Sequence, residues 1–189
     1  MTPDTPMNRV PREQLPPDMQ QAWEASMALH GDTTFVEVAG NNPVMWHWYR
    51  EAFYQQVFYS GRIERRLVEL VRLRLANVHG CAFCDRADTA AALEAGIPQA
   101  QIDGLEAYEQ GPFSEAEKAA LALADRMVLT NPLGRLDRAL YARCRAHFSD
   151  AQLFELGMIM AVLCGMAKFI FAFDLVEKMP SCPFLPAGA

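Results

Sequence analysis

The segment from Leu156 to Phe173 places the strongest constraint on the fold, because its eighteen residues include only one charge, at Lys168. That length is near the lower limit for a membrane-spanning helix. Glu155 and Asp174 flank the segment and no basic cluster marks an inside loop, which disfavours a membrane span. Its methionines are typical of a buried packing helix. The segment therefore predicts a central helix, covered in part by other subunits, in which Lys168 pairs with a buried carboxylate or extends to the helix edge.

The rest of the sequence also predicts helices, and no stretch shows the alternation of a half-buried strand. Asn42-Pro43 and Ser114-Glu115-Ala116-Glu117 have the residue types that begin helices, the second as a capping box. These patterns predict an all-α fold with about eight helices. The predicted helices span residues 17–29, 43–59, 62–78, 81–95, 98–108, 114–129, 137–147 and 149–178.

The length of 189 residues favours a single domain, predicted over residues 18–179. Five prolines in residues 1–17 exclude a regular element and predict an extended N-terminal arm. Residues 180–189 contain three more prolines and predict a loose C-terminal tail.

Composition excludes several classes of protein. The formal net charge of −6 disfavours nucleic-acid binding and attachment to anionic membranes. The five cysteines are an odd number, which does not suit a secreted disulfide scaffold. Residues 1–18 contain no apolar stretch of the kind found in a signal peptide. The sequence therefore predicts a cytoplasmic protein.

The Cys81-Ala82-Phe83-Cys84 motif, which follows Gly80 at a predicted helix start, carries the clearest chemistry. Unpaired N–H groups and the helix dipole favour a thiolate there. A second thiol one turn away can resolve the oxidised product as a disulfide. The alternative is a pair of buried cysteines that act as small hydrophobic residues. No βαβ pattern surrounds the motif, so a thioredoxin fold is disfavoured.

Two ionisable residues near the motif have alternative roles. Glu69 has Arg65, Arg66 and Arg72 within one turn, which indicates a solvated row of ion pairs unless the side chain faces the cysteines as a proton relay. His79 is either a base or hydrogen-bond partner for a thiol, or an exposed loop residue.

Cys144-Arg145-Ala146-His147 raises a second possibility, since a CxxH together with the CxxC would supply four zinc ligands. The alternative places Cys144 in the core and His147 at a helix end. Cys164 and Cys182 have no partner motif. The sequence contains no GxGxxG, P-loop, GxSxG or HExxH pattern, so no nucleotide cofactor is predicted.

Several motifs together resemble the AhpD-like alkylhydroperoxidase and carboxymuconolactone decarboxylase family, over about residues 43–176. The resemblance rests on Glu69–Ala76, Cys81-x-x-Cys84, Ala90–Gly96, Phe113–Leu121 and the long last helix.

The resemblance implies an all-α fold whose subunits form homo-oligomers, and no bound cofactor. In the thiol-dependent branch it implies reduction of a hydroperoxide, followed by regeneration of the enzyme by an external dithiol or protein reductant. Glu69 would correspond to the relay glutamate and Cys84 to the thiol that attacks the peroxide. Cys81 would resolve the oxidised product and exchange with the reductant.

One position departs from the family pattern. The family histidine follows the second cysteine by four residues, and here that residue is Asp88. An aspartate anion would raise the pKa of a nearby thiol. Three possibilities follow: His79 substitutes from the other side of the cysteines, Asp88 serves in a water-mediated relay, or the peroxidase activity is reduced or lost.

The decarboxylase branch is the alternative enzyme class that the resemblance implies. That chemistry needs no CxxC pair but needs a pocket for a lactone carboxylate, for which Arg72, Arg74 and Arg86 are candidates. A non-catalytic, zinc-stabilised or purely oligomeric protein is the third possibility.

Overall fold

The computed structural model describes residues 1–185, and this part of the chain is helical without a β-strand. The predicted all-α class is therefore confirmed. The α-helices are α1 (Pro17–His30), α2 (Thr34–Ala39), α3 (Pro43–His47), α4 (Arg65–His79), α5 (Ala82–Glu94), α6 (Gln99–Asp103), α7 (Glu115–Met127), α8 (Arg138–Arg145) and α9 (Asp150–Ala172). A π-helix spans Trp48–Phe58, and single 3-10 turns span Arg12–Gln14 and Leu105–Ala107.

Helix α4 lies at the centre of the fold and packs against α5, α7 and α9. Leu70, Val71 and Leu73 are fully buried, because neighbouring helices cover more than one face of α4. The inner side of α9 contributes Leu156 and Ile159 to the same core. By length and composition α9 could cross a membrane, yet 44% of its most apolar window is buried inside this protein. The apolar segment is thus a core helix with one uncovered face.

The local signals for helix ends are confirmed. The Ser114 hydroxyl accepts a hydrogen bond from the Glu117 N–H, and the Glu117 carboxylate accepts one from Ser114, as in a capping box. The Asn42 side chain accepts a hydrogen bond from the Met45 N–H at 3.3 Å. These short-range interactions depend on a few adjacent residues, which is why the sequence predicts them.

Two helix predictions were wrong. The short helix α2 was not predicted, since its β-branched residues do not favour a helix. Helix α9 ends at Ala172, not near Lys178. Asp174 has a positive φ of 52°, so the chain turns there and Leu175 packs beside Cys81 in the core.

The π-helix lies within the predicted 43–59 helix but has a wider turn. The Tyr59 N–H donates to the Tyr54 carbonyl at 2.8 Å, a bond that joins residues five apart. This spacing places Tyr49, Tyr54 and Tyr59 on one side, which an analysis based on three- and four-residue steps does not anticipate.

The terminal segments pack on the helical body. The Met1 ammonium donates to the Lys178 carbonyl at 2.7 Å. Cys182 is buried against Gly80, whose φ is +67° and whose added Cβ would lie 2.5 Å from the Cys182 Cα. Residues 186–189 of the predicted tail lie outside the described residues.

Candidate active site

A cavity of about 440 Å³ lies between α1, the π-helix, α4, α5 and α9. Its wall is mainly aromatic and aliphatic, and it includes Phe35, Trp46, Tyr49, Tyr54, Phe83 and Ile170. The polar or reactive side chains on this wall include His30, Arg50, Arg72, His79, Cys84 and Asp88. An apolar pocket with a few convergent polar groups is the usual form of a small-molecule site.

The CxxC motif forms one edge of this cavity. Gly80 ends α4 with a positive φ, which lets α5 begin at once with Cys81 as its N-cap. The Cys81 sulfur accepts a hydrogen bond from the Cys84 N–H at 3.1 Å. The two cysteines are joined as a disulfide. Cys81 is only 1% exposed, whereas Cys84 is half-buried and faces the cavity.

Arg72 links two carboxylates behind the cysteines. Its Nη2 lies 2.5 Å from Glu69 Oε2 and its Nε lies 3.0 Å from Asp88 Oδ1. The Tyr59 hydroxyl donates to Glu69 Oε1 at 3.1 Å. Glu69 is fully buried, so the solvated row of ion pairs considered for it is wrong. Glu69 contacts Arg72 and Tyr59, which line the cavity, but does not itself line it.

Arg72 is the one buried cation between the two carboxylates of this cluster, since Arg65, 3.8 Å from Glu69, is exposed. Burial raises the pKa of Asp88 to about 7, with a further increase from Glu69 and an opposing effect of Arg72. Burial disfavours the charged form of Arg72, but Asp88 and Glu69 outweigh it and hold the Arg72 pKa above its ordinary value. Asp88 therefore exchanges a proton near neutral pH, which an ordinary aspartate does not do.

Glu69 Oε2 and Arg72 Nε are buried and lie at ion-pair distances, but neither has a partner in hydrogen-bond geometry within residues 1–185. Buried polar atoms without a hydrogen-bond partner are rare, and a role in catalysis or redox chemistry is one explanation for them. The cluster thus retains capacity to bind a further polar group.

His79 is the last residue of α4 and is 1% exposed, so the exposed-loop alternative is wrong. Its Nε2 accepts a hydrogen bond from the Leu129 N–H at 3.0 Å, which places the proton of the neutral ring on Nδ1. Burial lowers the pKa of His79 to about 4. Its Nε2 is therefore engaged by the backbone and is not available to a thiol.

His30 lies on the cavity wall although no sequence motif pointed to it. Its ring stacks on Phe83 with centroids 3.7 Å apart, and its Nδ1 accepts a hydrogen bond from Arg86 Nε at 3.4 Å. Burial and the nearby Arg86 lower the pKa of His30 to about 4, so the ring is neutral at pH 7. Its place depends on the packing of α1 on α5, which local patterns do not encode.

The four residues of the possible zinc set are not brought together. Cys144 is fully buried in the core, where its sulfur donates to the Ala119 carbonyl, and His147 is exposed. Within residues 1–185 no group of three or more potential ligands is placed to hold a metal ion. Lys168 is exposed on the outer side of α9.

Comparison with known proteins agrees with this architecture. A model of the carboxymuconolactone decarboxylase family matches residues 46–126. The uncharacterized protein YdfG of Bacillus subtilis is 35% identical over 102 residues, which cover 53% of this chain and 69% of YdfG.

Solved structures share the fold at lower identity. A putative antioxidant defence protein AhpD from Agrobacterium tumefaciens has a TM-score of 0.64 at 22% identity, over 75% of this chain and 94% of that one. A variant of the debrominase Bmp8, in complex with a tribromopyrrole, has a TM-score of 0.74 at 15% identity, over 95% of both chains.

Proposed function

The chain belongs to the carboxymuconolactone decarboxylase family, and on that basis we propose that it is a thiol-dependent peroxide reductase of the AhpD-like type. The observation that carries the proposal is the Cys81–Cys84 pair at the edge of a cavity that also holds the buried Asp88 carboxyl group, ion-paired with Arg72. Reduction of the disulfide by an external dithiol suits a cytoplasmic location, where thiols are kept reduced.

In the first proposed step, Cys84 is the thiol that a hydroperoxide reaches from the cavity. Asp88 follows four residues later on α5, so the two side chains share a face with Cβ atoms about 5–6 Å apart. The Asp88 carboxylate accepts the thiol proton, and the thiolate attacks the outer peroxide oxygen. The O–O bond breaks, Cys84 becomes a sulfenic acid, and the proton passes to the departing alkoxide to form an alcohol. Arg72 orients Asp88, Glu69 pairs with Arg72, and the Tyr59 hydroxyl donates to Glu69.

In the second step, Cys81 attacks the Cys84 sulfur, which forms the disulfide and releases water. One thiol of the external dithiol then attacks the accessible Cys84 sulfur, and Cys81 leaves as a thiolate stabilised by the Cys84 N–H and the start of α5. The second thiol of the dithiol attacks this mixed disulfide, which releases Cys84 and leaves the reductant as a disulfide. The resemblance assigns this exchange to Cys81, whose sulfur is covered. Attack at Cys84 needs no uncovering of the core.

The decarboxylase alternative has less support from its candidate arginines. Arg74 pairs with Asp125 at 2.8 Å, Arg86 with Glu177 at 2.6 Å, and Arg72 with its two carboxylates. Of these three arginines only Arg72 lines the cavity. The debrominase likeness suggests a further candidate, since a dithiol supplies the two electrons that reduction of a carbon–halogen bond needs.

The test of the proposed function is a thiol titration of the reduced protein before and after one equivalent of cumene hydroperoxide, with mass mapping of the Cys81–Cys84 peptide. We expect rapid loss of two thiols and a disulfide at this peptide, while Cys144, Cys164 and Cys182 stay reduced because they are buried. Thiols that survive at pH 7 would reject the peroxidase, and a brominated pyrrole and a carboxylated lactone would then be tested.

We also propose that a second copy of the chain covers the outer face of α9. Phe154 is 73% exposed, Met158 is 50% exposed and Phe169 is 37% exposed, at intervals that place them on one side of the helix. Exposed apolar surface of this kind marks an interaction site.

Replacement of Met158 by aspartate should shift the sedimentation mass towards the monomer, because a charge would be buried in the interface. Leu133→Asp is the control, since Leu133 is 89% exposed in a turn outside α9. A wild-type protein that sediments as a monomer would contradict this proposal.

A further inference from the structure

We infer that the cavity takes substrates with an apolar body and one carboxylate, and that Arg50 at the cavity mouth binds this carboxylate. The inference deepens the proposed function, since it names the class of hydroperoxide. It rests on that function for the reaction, but not for the binding step.

Arg50 is placed to bind an anion. It is exposed and also lines the cavity, so it lies where the cavity opens to solvent. Its guanidinium carbon lies 5.7 Å from the Trp46 ring centroid and 5.6 Å from that of Tyr54. Within residues 1–185 its side chain forms no ion pair and donates no hydrogen bond. Contacts with aromatic faces hold the cation while its N–H edge stays free for a bidentate carboxylate.

Helical spacing accounts for this arrangement. Arg50 lies in the first turn of the π-helix, four residues after Trp46 and four before Tyr54, so both rings are its neighbours. The wider turn directs the tyrosine row of Tyr49 and Tyr54 to the same cavity. A π-helix is often found at a functional site, because the extra residue in the turn re-orients side chains.

The other ionisable groups on the wall leave Arg50 as the site of positive charge. Arg72 is compensated by Glu69 and Asp88, and Asp88 is the one carboxylate that lines the cavity in the described part of the chain. The His30 and His79 rings are neutral at pH 7. An anion at the mouth would therefore meet one uncompensated guanidinium and no facing carboxylate beyond the Arg72 cluster.

The remaining wall is suited to an apolar body. Phe35, Trp46, Phe83, Leu163 and Ile170 surround the space between Arg50 and the cysteines. A cavity of about 440 Å³ is far larger than hydrogen peroxide needs and lies within the usual range for organic ligands. The site therefore matches an amphipathic carboxylate, such as a fatty acid hydroperoxide, whose peroxide group reaches Cys84 while its carboxylate stays at the mouth.

The test compares linoleic acid hydroperoxide with its methyl ester, which has the same chain and peroxide group but no negative charge. In wild-type protein we expect a KM for the acid lower than that for the ester by roughly tenfold, as for a charge-assisted hydrogen bond. Arg50→Gln should raise the KM for the acid by about the same factor and leave the ester within about twofold. Arg50→Lys should retain part of the preference for the acid over the ester, since lysine keeps the positive charge but cannot bind a carboxylate through two parallel N–H groups.

Arg12→Gln is the matched control, because Arg12 also lies over a tryptophan, Trp23, and neither residue lines the cavity. It should leave both KM values unchanged. Equal KM values for acid and ester in the wild type, or an equal effect of Arg50→Gln on both, would overturn the inference.

A second measurement separates this inference from the proposed function. If the wild type turns over neither hydroperoxide, the peroxidase is rejected, and binding of unreactive laurate and methyl laurate is measured by calorimetry. Laurate that binds the wild type about tenfold more tightly than Arg50→Gln would still support the anion site. Equal binding to both proteins would reject it.

Discussion

Replacing Cys84 by serine should reduce the rate of hydroperoxide consumption by at least about a thousandfold, because the thiolate is the nucleophile and a hydroxyl is not ionised at neutral pH. The variant should fold normally, since the site is half-buried and serine is of similar size. Consumption is measured with cumene hydroperoxide and an excess of dithiothreitol, and folding by circular dichroism.

The Cys81→Ser variant distinguishes the roles of the two thiols. It should still allow Cys84 to react once, and it should yield a sulfenic acid that dimedone traps instead of a disulfide. Cys164→Ser is the control, because burial raises the pKa of Cys164 to about 11 and its sulfur lies against the Met127 carbonyl. An unchanged rate of hydroperoxide consumption by Cys84→Ser would contradict the mechanism. If Cys164→Ser lost as much of this rate as Cys84→Ser, the loss would point to a structural effect.

The helical fold and the CxxC pair were predictable because their signals are local. Pro17, Gly31 and the Ser114–Glu117 capping box each define a helix end through interactions within a few residues. Cys81 is the N-cap of α5 for the same reason, since Gly80 must end α4 before the next helix begins. Such features need no knowledge of tertiary packing.

The surroundings of the cysteines were not predictable in the same way. Whether Glu69 faces solvent or the core depends on Arg72 of its own helix, on Tyr59 at the end of the π-helix and on Asp88 of α5. His30 reaches the cavity through the packing of α1 on Phe83. The sequence provides the types of these residues, but contacts between distant parts of the chain bring them together around the cysteines.

Arg50 is not predictable for a different reason. Its four-residue spacing from Trp46 and Tyr54 is ordinary for a helix, and only tertiary packing shows that this face borders a cavity. The wider turn of the π-helix affects the tyrosine row instead. A tyrosine at every fifth position, at 49, 54 and 59, is the signal that could have indicated the altered period.

Asp88→Asn should lower the rate of hydroperoxide reduction by about a hundredfold and should remove its pH dependence near pH 7. The expected factor is that of a lost general base. Because the pKa of Asp88 is about 7, the wild-type rate should rise through that pH as the carboxylate forms, while the amide cannot accept the proton. The variant should fold, since Arg72 keeps Glu69 as its counter-charge.

Stability provides a second, independent measurement on the same variant. The pKa of Asp88 is about 7 in the folded protein and near 3.8 when exposed, so the folded state holds a proton that the unfolded state has released. The contribution of Asp88 to the free energy of unfolding should therefore be highest below about pH 4 and fall by a few kcal/mol as pH rises to about 7, whereas His30 and His79, whose pKa values burial lowers to about 4, contribute in the opposite direction. Asp88→Asn stays neutral and should lack the Asp88 contribution, so the difference in unfolding free energy between wild type and variant, measured by urea denaturation, should change by that amount across the range.

Glu94→Gln is the control on the same helix, since Glu94 is exposed at the far end of α5. It should keep both the wild-type rate and the wild-type dependence of stability on pH. If Asp88→Asn retains the rate profile but loses the stability profile, Asp88 titrates without acting in catalysis, and the proton relay must be assigned elsewhere. If both profiles persist, Asp88 does not titrate in this range and another group is responsible for both profiles.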